Sequence, residues 1–336
     1  MKTPLKSNKG RWLTNLSKKK KVFLVILVIL TFGIIYEQTG RYLDSKRFEP
    51  VGQIFNINGH DMHIYGAGKG EETVIFTSGW RTPSPYVDYY PLYNDISKYS
   101  RIVVYDRPGY GWSEVDKKPR DLDTIAIELH KLLEEAGEKP PYILVGHSFG
   151  SSEVLRFAQL YGDEVKGIIL IDGSSPEYSV SQKRPSKYFL RHGTIKHTLL
   201  NYTINGLVDI GIIRALCNIP DFYTSISPFR NGLLLVSDDL KELDEAMALK
   251  WLNNKNHYDE LRMEKDKLVA DGHLEDIPLK IITSEEYNKG VVTNQFQKDL
   301  MEWSTDSEQI VVEGSSHYIH MFNPEAVNNV ILDVIE

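Results

Sequence analysis

The residues best suited to chemistry lie at 146–150, where Ser148 is the centre of a Gly-x-Ser-x-Gly pattern. Residues 142–145 are apolar and partly β-branched, which is typical of a buried strand. Residues 151–161 carry apolar side chains at helical spacing. Strand, tight turn and helix together predict a nucleophile elbow, in which the glycines leave room for the turn and the N–H of Phe149 faces a developing oxyanion. The alternative is an ordinary strand-to-helix turn with an exposed serine.

Other polar residues also follow predicted strands. Apolar runs predict buried strands at residues 73–77, 102–105, 142–145, 167–171, 280–283 and 310–312, after a hairpin of residues 53–57 and 62–65. Strands that alternate with helices predict an α/β fold with a mostly parallel sheet and helices on both faces. Sites in such sheets form beyond the carboxyl ends of the strands. We therefore expect one rim to gather the residues that follow these strands, namely Ser78, Gly79, Trp80, Asp106, Ser148, Asp172 and residues 314–317.

Three motifs in this order resemble the α/β-hydrolase superfamily over roughly residues 50–336. They are Asp-Arg-Pro-Gly-Tyr-Gly-Trp-Ser at 106–113, Gly-His-Ser-Phe-Gly at 146–150 and Gly-Ser-Ser-His-Tyr-Ile-His-Met-Phe-Asn-Pro-Glu at 314–325. The resemblance implies an eight-stranded sheet with a helical lid inserted after the sixth strand. Strand signals fade at about residue 175 and return at about 276, which fits such a lid.

The resemblance also implies the catalytic base. The motif at 314–325 is similar to the family's catalytic-histidine loop, and His317 holds the histidine position. The order of serine before histidine fits this fold. His320, three residues later, is the alternative base, and His147 beside the serine is interpreted as structural.

The acid departs from the family pattern. Many members carry it in a Gly-x-x-Asp turn after the seventh strand, but Ser284 and Tyr287 hold the glycine and aspartate positions here. Some members place the acid after the sixth strand, where this chain has Asp172, and a carboxylate from either strand could orient the imidazole. We expect Asp172 to be the acid, with Glu285 or Glu286 as the alternatives. If Asp172 has no catalytic role, we interpret it as an ordinary turn cap.

The oxyanion hole is expected from the backbone N–H groups of Trp80 and Phe149. The family's His-Gly pair after the third strand is Ser78-Gly79 here, and a backbone donor survives that change. Asp106 and Arg107 resemble a structural turn of the family and are expected to brace the loop.

Composition limits the other functions. The chain has 336 residues and a net charge of −7, but residues 1–21 carry eight Lys and Arg and no acid, which leaves −15 on the rest. Such a body is not expected to bind nucleic acid. Cys217 is the single cysteine, so it forms no internal disulfide, and its surroundings have no metal-type Cys/His spacing. Neither a metal nor an organic cofactor is expected.

Residues 22–36 are apolar and uncharged, and as a helix they rise about 22 Å, against the roughly 30 Å of a bilayer core. Snorkelling lysines could cover the deficit, and the preceding basic residues would stay cytoplasmic. We expect an uncleaved signal anchor with the body on the extracytoplasmic side of the cell membrane, followed by a polar linker at 41–50. The alternative is a signal peptide and a secreted protein, although no small-x-small cleavage site follows residue 36.

The predicted organisation is a basic head (1–21), a transmembrane anchor (22–36), a hydrolase core (50–174 and 276–336) and a lid (175–275). The expected function is a serine hydrolase that cleaves a carboxylic ester or related acyl bond of a small, apolar substrate. A proline-iminopeptidase-like peptidase, a lactonase, a thioesterase and a cofactor-free peroxidase remain open on the same triad, as does a non-catalytic binding module. The oligomeric state is left open.

Overall fold

The computed structural model describes residues 17–181, 202–252 and 254–336. Residues 1–16 of the predicted basic head, and residues 182–201 and 253 of the predicted lid, lie outside the described residues.

Eight strands form one sheet in the order β1-β2-β4-β3-β5-β6-β7-β8. The strands are β1 (Gln53–Ile57), β2 (His60–Ala67), β3 (Thr73–Thr77), β4 (Arg101–Tyr105), β5 (Tyr142–His147), β6 (Val165–Ile171), β7 (Leu279–Ser284) and β8 (Ser307–Val312). β2 pairs antiparallel with β1 and β4, and all other neighbours are parallel. The predicted hairpin is present, with a two-residue turn of Asn58 and Gly59 at positive φ, so β2 begins earlier than predicted.

Helices cover both faces of the sheet and fill the connection between β6 and β7. They are α1 (Lys18–Arg47), α2 (Pro85–Asp88), α3 (Tyr90–Ile96), α4 (Leu122–Ala136), α5 (Gly150–Tyr161), α6 (Pro176–Ser181), α7 (residues 202–209), α8 (Ile212–Cys217), α9 (Phe222–Ile226), α10 (Asp238–Trp251), α11 (Lys255–Arg262), α12 (Asp266–Ala270), α13 (Glu285–Lys289), α14 (Val291–Met301), α15 (Ile319–Phe322) and α16 (Pro324–Ile335). Short 3-10 segments occupy Gly162–Glu164 and Pro228–Leu235.

The core consists of two apolar layers that sandwich the sheet. α4 and α5 pack on one face, around Leu129, Leu144 and Phe157. α3 and α16 pack on the other, around Val145, Ile169 and Ile331. The predicted α/β sheet with helices on both faces is confirmed, and the parallel strands are buried on both sides as their continuous apolar sequences require.

The lid region is the part of 175–275 that the structure describes, and within it all regular structure is helical. It is joined to the core by a third apolar cluster, in which Leu243 and Met247 of α10 pack with Val87, Trp112 and Met321. The lid region therefore packs against the edge of the sheet that carries the predicted site residues.

α1 is longer than the apolar segment that predicted it. It runs without interruption for 30 residues, and an 18-residue window within it has a mean hydropathy of 2.1. By length and composition this helix could cross a membrane, and signal sequences meet the same criterion. The prediction of a polar linker from residue 41 is wrong up to Arg47, because Glu37, Arg41 and Asp44 continue the helix and pair with each other or with Arg214 of the lid region.

Candidate active site

Ser148 occupies a strained turn between β5 and α5. Its φ is 51°, a left-handed conformation that costs a non-glycine residue about 1–3 kcal/mol. The Ser148 N–H donates to the carbonyl of Ile171 at 3.0 Å, which ties the turn to the end of β6. A Cβ at Gly146 would lie 2.8 Å from the carbonyl oxygen of Gly150, and one at Gly150 would lie 2.5 Å from that of Thr77. Both glycines are therefore required by close backbone contact.

Asp172 and His317 meet at the carboxyl end of β6. Nδ1 of the His317 imidazole lies 3.3 Å from Oδ2 of Asp172, whose side chain is fully buried. Ser284, at the end of β7, donates its N–H to Oδ1 at 2.7 Å and its hydroxyl to Oδ2 at 2.5 Å. Ser284 stands where the family turn has glycine, and here its side chain and backbone both hold the carboxylate of the neighbouring strand.

The two alternative acids contact the backbone of the histidine loop. Glu286 accepts the backbone N–H of His317 at 3.3 Å, and Glu285 accepts that of Gly314 at 3.0 Å. Glu285 also pairs with Lys289, whose hydrogen bond lowers the pKa of this carboxyl. Among the described side chains, Asp172 provides the carboxylate that reaches the imidazole, and both glutamates stabilise the loop that carries it.

Two aromatic neighbours contact His317, one at its ring and the other at its backbone. Tyr287 stacks on it with centroids 4.6 Å apart and planes 5° apart. His147 Nε2–H donates to the His317 carbonyl at 3.0 Å. Burial, with the nearby His320 and His317 rings, holds the pKa of His147 well below its ordinary value, so this imidazole is neutral. The structural interpretation of His147 agrees with this contact, whereas the role of Tyr287 escaped sequence reasoning.

His320 lies in a different environment from His317. It is fully buried, and its Nε2 is 3.0 Å from Oδ2 of Asp88. Asp88 also accepts from Arg230 of the lid region at 2.6 Å. His320 is thus part of a buried ion-pair cluster and does not line the cavity that contains Ser148.

The loop after β3 brings Trp80 to the same rim. Arg107 is buried beneath this loop and donates to the carbonyls of Ser78 at 2.8 Å and Gly79 at 3.1 Å. The backbone N–H groups of Trp80 and Phe149 have no acceptor in the part of the chain that the structure describes. Two free donors beside Ser148 are what an oxyanion hole needs.

A buried charge cluster holds Arg107 in place. Its guanidinium contacts Glu260 at 2.9 Å and Glu153 at 3.0 Å. Burial disfavours the guanidinium charge, but the Glu260 carboxylate outweighs this effect and raises the pKa of Arg107. Burial and Glu260 raise the pKa of Glu153 well above its ordinary value, which favours a neutral Glu153 and leaves one balanced ion pair. Asp106 accepts the N–H of Trp112 at 2.9 Å, so both residues of this turn brace loops, as expected.

Ser148 and His317 line one cavity of about 390 Å³. Its walls come from the rim and from the lid region: Gly79, Trp80, Arg81, Thr82, Pro83, Gly109, His147, Ser148, Ser227, Arg230, Met247, Ala248, Trp251, Leu252, His257, His317 and Tyr318. No hydrogen bond joins the Ser148 hydroxyl to the imidazole among the described residues, and such bonds commonly form only when substrate is bound. The arrangement supplies a hydroxyl, a buried carboxylate–imidazole pair and free backbone donors around a half-apolar space.

One group of side chains has the spacing of metal ligands within the described ranges, at His60, Asp116 and Glu128. Arg120 already pairs with both carboxylates, at 3.2 Å from Asp116 and at 2.5 Å from Glu128. A guanidinium in this position supplies the positive charge that a cation would bring, so the group is a buried ion-pair network that fixes β2 to α4.

Comparisons with known proteins agree with this architecture. A family profile described as alpha/beta hydrolase fold matches residues 73–191. The uncharacterized protein YbdG of Bacillus subtilis is 35% identical over 159 residues, which cover 47% of this chain and about half, 49%, of that protein. A Bacillus megaterium epoxide hydrolase superimposes with a TM-score of 0.59 at 19% identity, over 84% of this chain and 99% of that one.

A thermophilic esterase from Thermogutta terrifontis superimposes with a TM-score of 0.57 at 15% identity, over 84% of this chain and 96% of that one. At such identities the structures establish the fold and not the substrate. With the sheet order, the profile match over residues 73–191 and these neighbours, the chain has the α/β-hydrolase fold.

Proposed function

We propose that this protein is a serine hydrolase that cleaves a carboxylic ester or a related acyl bond through Ser148, His317 and Asp172. The observation that carries the proposal is the Asp172–His317 contact at 3.3 Å, made beside a strained serine that lines the same cavity. A buried carboxylate on Nδ1 leaves Nε2 as the acceptor for a proton from the serine.

In the proposed reaction, the Ser148 oxygen attacks the acyl carbon while His317 Nε2 takes the hydroxyl proton. The carbonyl oxygen becomes an oxyanion and accepts the N–H groups of Trp80 and Phe149. His317 then protonates the leaving group, and an acyl-enzyme remains on Ser148. Water repeats the sequence, the ester to Ser148 breaks, and the acid leaves with the serine restored.

The elbow residue favours acyl transfer over epoxide opening. Epoxide hydrolases of this fold use an aspartate as the attacking residue, whereas the elbow residue here is Ser148. The likeness to an epoxide hydrolase therefore supports the fold and not that chemistry. Apolar groups of Trp80, Met247, Ala248 and Leu252 in the cavity support a substrate with an apolar acyl group.

A fluorophosphonate probe tests the nucleophile directly. It should label the wild-type protein, while Ser148→Ala should remain unlabelled with an unchanged melting temperature. An intact, folded wild-type protein that resists the probe contradicts the proposal and favours the non-catalytic binding module. p-Nitrophenyl esters of increasing chain length, beside lactones, thioesters and aminoacyl-anilides, then separate esterase from lactonase, thioesterase and peptidase activity.

We also propose that α1 is an uncleaved membrane anchor with the hydrolase body on the extracytoplasmic side. Its apolar side chains are exposed, including Phe32 at 68%, whereas Glu37 is buried against Arg214 of the lid region. Cleavage after Tyr36 would remove the hydrogen bond from Asn218 to the Tyr36 hydroxyl, and loss of all of α1 would also deprive Arg214 of Glu37 and Asp44, which supports retention. Detection of residues 1–20 on the membrane-fraction protein tests this proposal, and a mature N-terminus beyond Tyr36 favours a secreted protein.

A further inference from the structure

The apolar part of α1 is in direct backbone contact with the lid region. A Cβ at Gly33 would lie 2.3 Å from the carbonyl oxygen of Ile210, and one at Gly211 would lie 2.8 Å from that of Gly33. Asn218 donates its amide to the Tyr36 hydroxyl at 3.0 Å. The segment from 210 to 218 therefore meets α1 within the apolar residues 22–36 as well as beyond them.

A compact cluster of charged side chains extends the contact between α1 and the lid region one turn further along α1. Glu37 is fully buried and lies 2.7 Å from Arg41 and 2.9 Å from Arg214. Arg214 also pairs with Asp44 at 2.8 Å. Two cations and two anions balance, so the cluster can lie at a bilayer boundary without exposing an unpaired charge.

The length of the span sets the depth of this contact. Residues 22–36 rise about 22 Å along a helix, and the hydrocarbon core is roughly 30 Å thick, so the outer boundary cannot lie below Tyr36. Lid residues that touch Gly33 and Tyr36 then lie at that boundary or just below it. Their neighbours Ile212 and Ile219 expose 41% and 54% of their surface.

A second cavity lies beside this lid segment. It has a volume of about 260 Å³ and is lined by residues 217–221, among others. Arg230 lines both this cavity and the one that contains Ser148. The Arg230 side chain is therefore a wall that the two cavities share.

We propose that the lid segment at 210–219 inserts into the outer interface of the bilayer that holds α1, and that the site takes an amphiphilic acyl substrate from that bilayer. Ile212 and Ile219 bury their apolar surface among the lipid headgroups and upper acyl chains. The second cavity includes Ile219 in its lining and shares Arg230 with the cavity of the proposed nucleophile. The inference rests on the proposed hydrolase and on the proposed anchor, and it adds the physical source of the substrate.

Lipid contact is tested on the full chain, reconstituted in phosphatidylcholine vesicles. Single cysteines at three positions in a Cys217→Ser background carry an environment-sensitive fluorophore, and doxyl groups near the lipid glycerol quench it. The positions are Ile212→Cys, Phe32→Cys as a reference within the span, and Ile127→Cys on α4 as a matched site that exposes 36% of an isoleucine. We expect quenching at 212 and 32 and none at 127. An unquenched 212 beside a quenched 32 leaves the anchor intact and overturns the inference, whereas loss of quenching at both removes the anchor and the inference together.

Substrate delivery is tested with Ile212→Asp and its control Ile127→Asp. A charge at an interfacial apolar position should lower kcat/KM about tenfold for a long-chain ester held in the vesicles and leave a soluble short-chain ester unaffected. The control should change neither rate. Equal rates of Ile212→Asp and wild type on the vesicle ester overturn the inference, as does a wild-type protein that cleaves only the soluble ester. A wild-type protein that cleaves neither ester removes the proposed hydrolase itself, even if position 212 is quenched.

Discussion

The choice of Asp172 over Glu286 as the acid gives the sharpest test of the site. In Asp172→Asn, the new side chain keeps one oxygen, and the two Ser284 donors at 2.7 and 2.5 Å compete for it. The amide NH2 is then left to face His317 Nδ1, to which it donates. Nδ1 becomes an acceptor, the proton moves to Nε2, and the imidazole can no longer take the serine proton.

The expected loss follows from this tautomer change. In a serine protease triad the same substitution lowers kcat by about 10⁴-fold, and we expect about 10³–10⁴-fold here, which corresponds to about 4–5.5 kcal/mol of transition-state stabilisation. Glu286→Gln is the matched control. Within the described residues, the Glu286 carboxylate accepts the backbone N–H of His317 alone, at 3.3 Å, and glutamine retains a carbonyl acceptor, so kcat/KM should fall less than about tenfold.

The assay is hydrolysis of a soluble p-nitrophenyl ester at pH 8, with the melting temperature of each variant measured in parallel. A collapse of turnover in Glu286→Gln, together with near wild-type activity in Asp172→Asn, would refute the assignment of Asp172. Equal, large losses in both stable variants would show that loop position and not the tautomer limits the reaction.

Three further predictions concern the residues that support the site. Tyr287→Ala removes the stacked ring and should lower kcat about tenfold, while Tyr287→Phe keeps the stacking and the rate; loss of activity in the phenylalanine variant would point to the hydroxyl instead. Arg107→Met leaves Glu260 as an unpaired buried charge and should lower the free energy of unfolding, measured in urea titrations, by about 3–5 kcal/mol. Glu153→Gln should hardly change this free energy, because burial favours the uncharged form of Glu153. Burial, with Arg81 and Arg107 nearby, lowers the pKa of His257 to about 3, so the unfolded state binds the extra proton below about pH 6.5 and stability falls as the pH is lowered toward 3. His257→Gln should therefore lose about 2 kcal/mol less than the wild type between pH 7 and pH 5, and parallel losses would contradict a depressed pKa.

Sequence was sufficient where local chemistry determines the structure. The elbow at Ser148 depends on Gly146 and Gly150, whose backbones approach within the same strand-turn-helix unit, so the pattern alone predicts it. The rim position of Asp172 follows from the end of β6. The carboxyl ends of parallel strands share one edge of the sheet, and this rule predicts that His317 and Asp172 lie close together.

Sequence was insufficient where contacts join distant segments. Asp172 and Glu286 both lie beside the histidine loop, and only the hydrogen bonds of Ser284 and the 3.3 Å imidazole contact distinguish them. The stacking of Tyr287 depends on how α13 packs against that loop. The extension of α1 to Arg47 depends on Arg214, which lies more than 160 residues further along the chain.

The buried cluster around Arg230 bears on how substrate reaches the site. Arg230 pairs with Asp88 and with Asp244, and Asp88 also contacts His320, three residues after the proposed base. If this part of the lid lifted away, Asp88 would lose its guanidinium partner inside the core, and an uncompensated buried charge costs about 3–5 kcal/mol. Opening there would also remove support from the helix that follows the histidine loop. The charges therefore favour a lid that stays closed at Arg230.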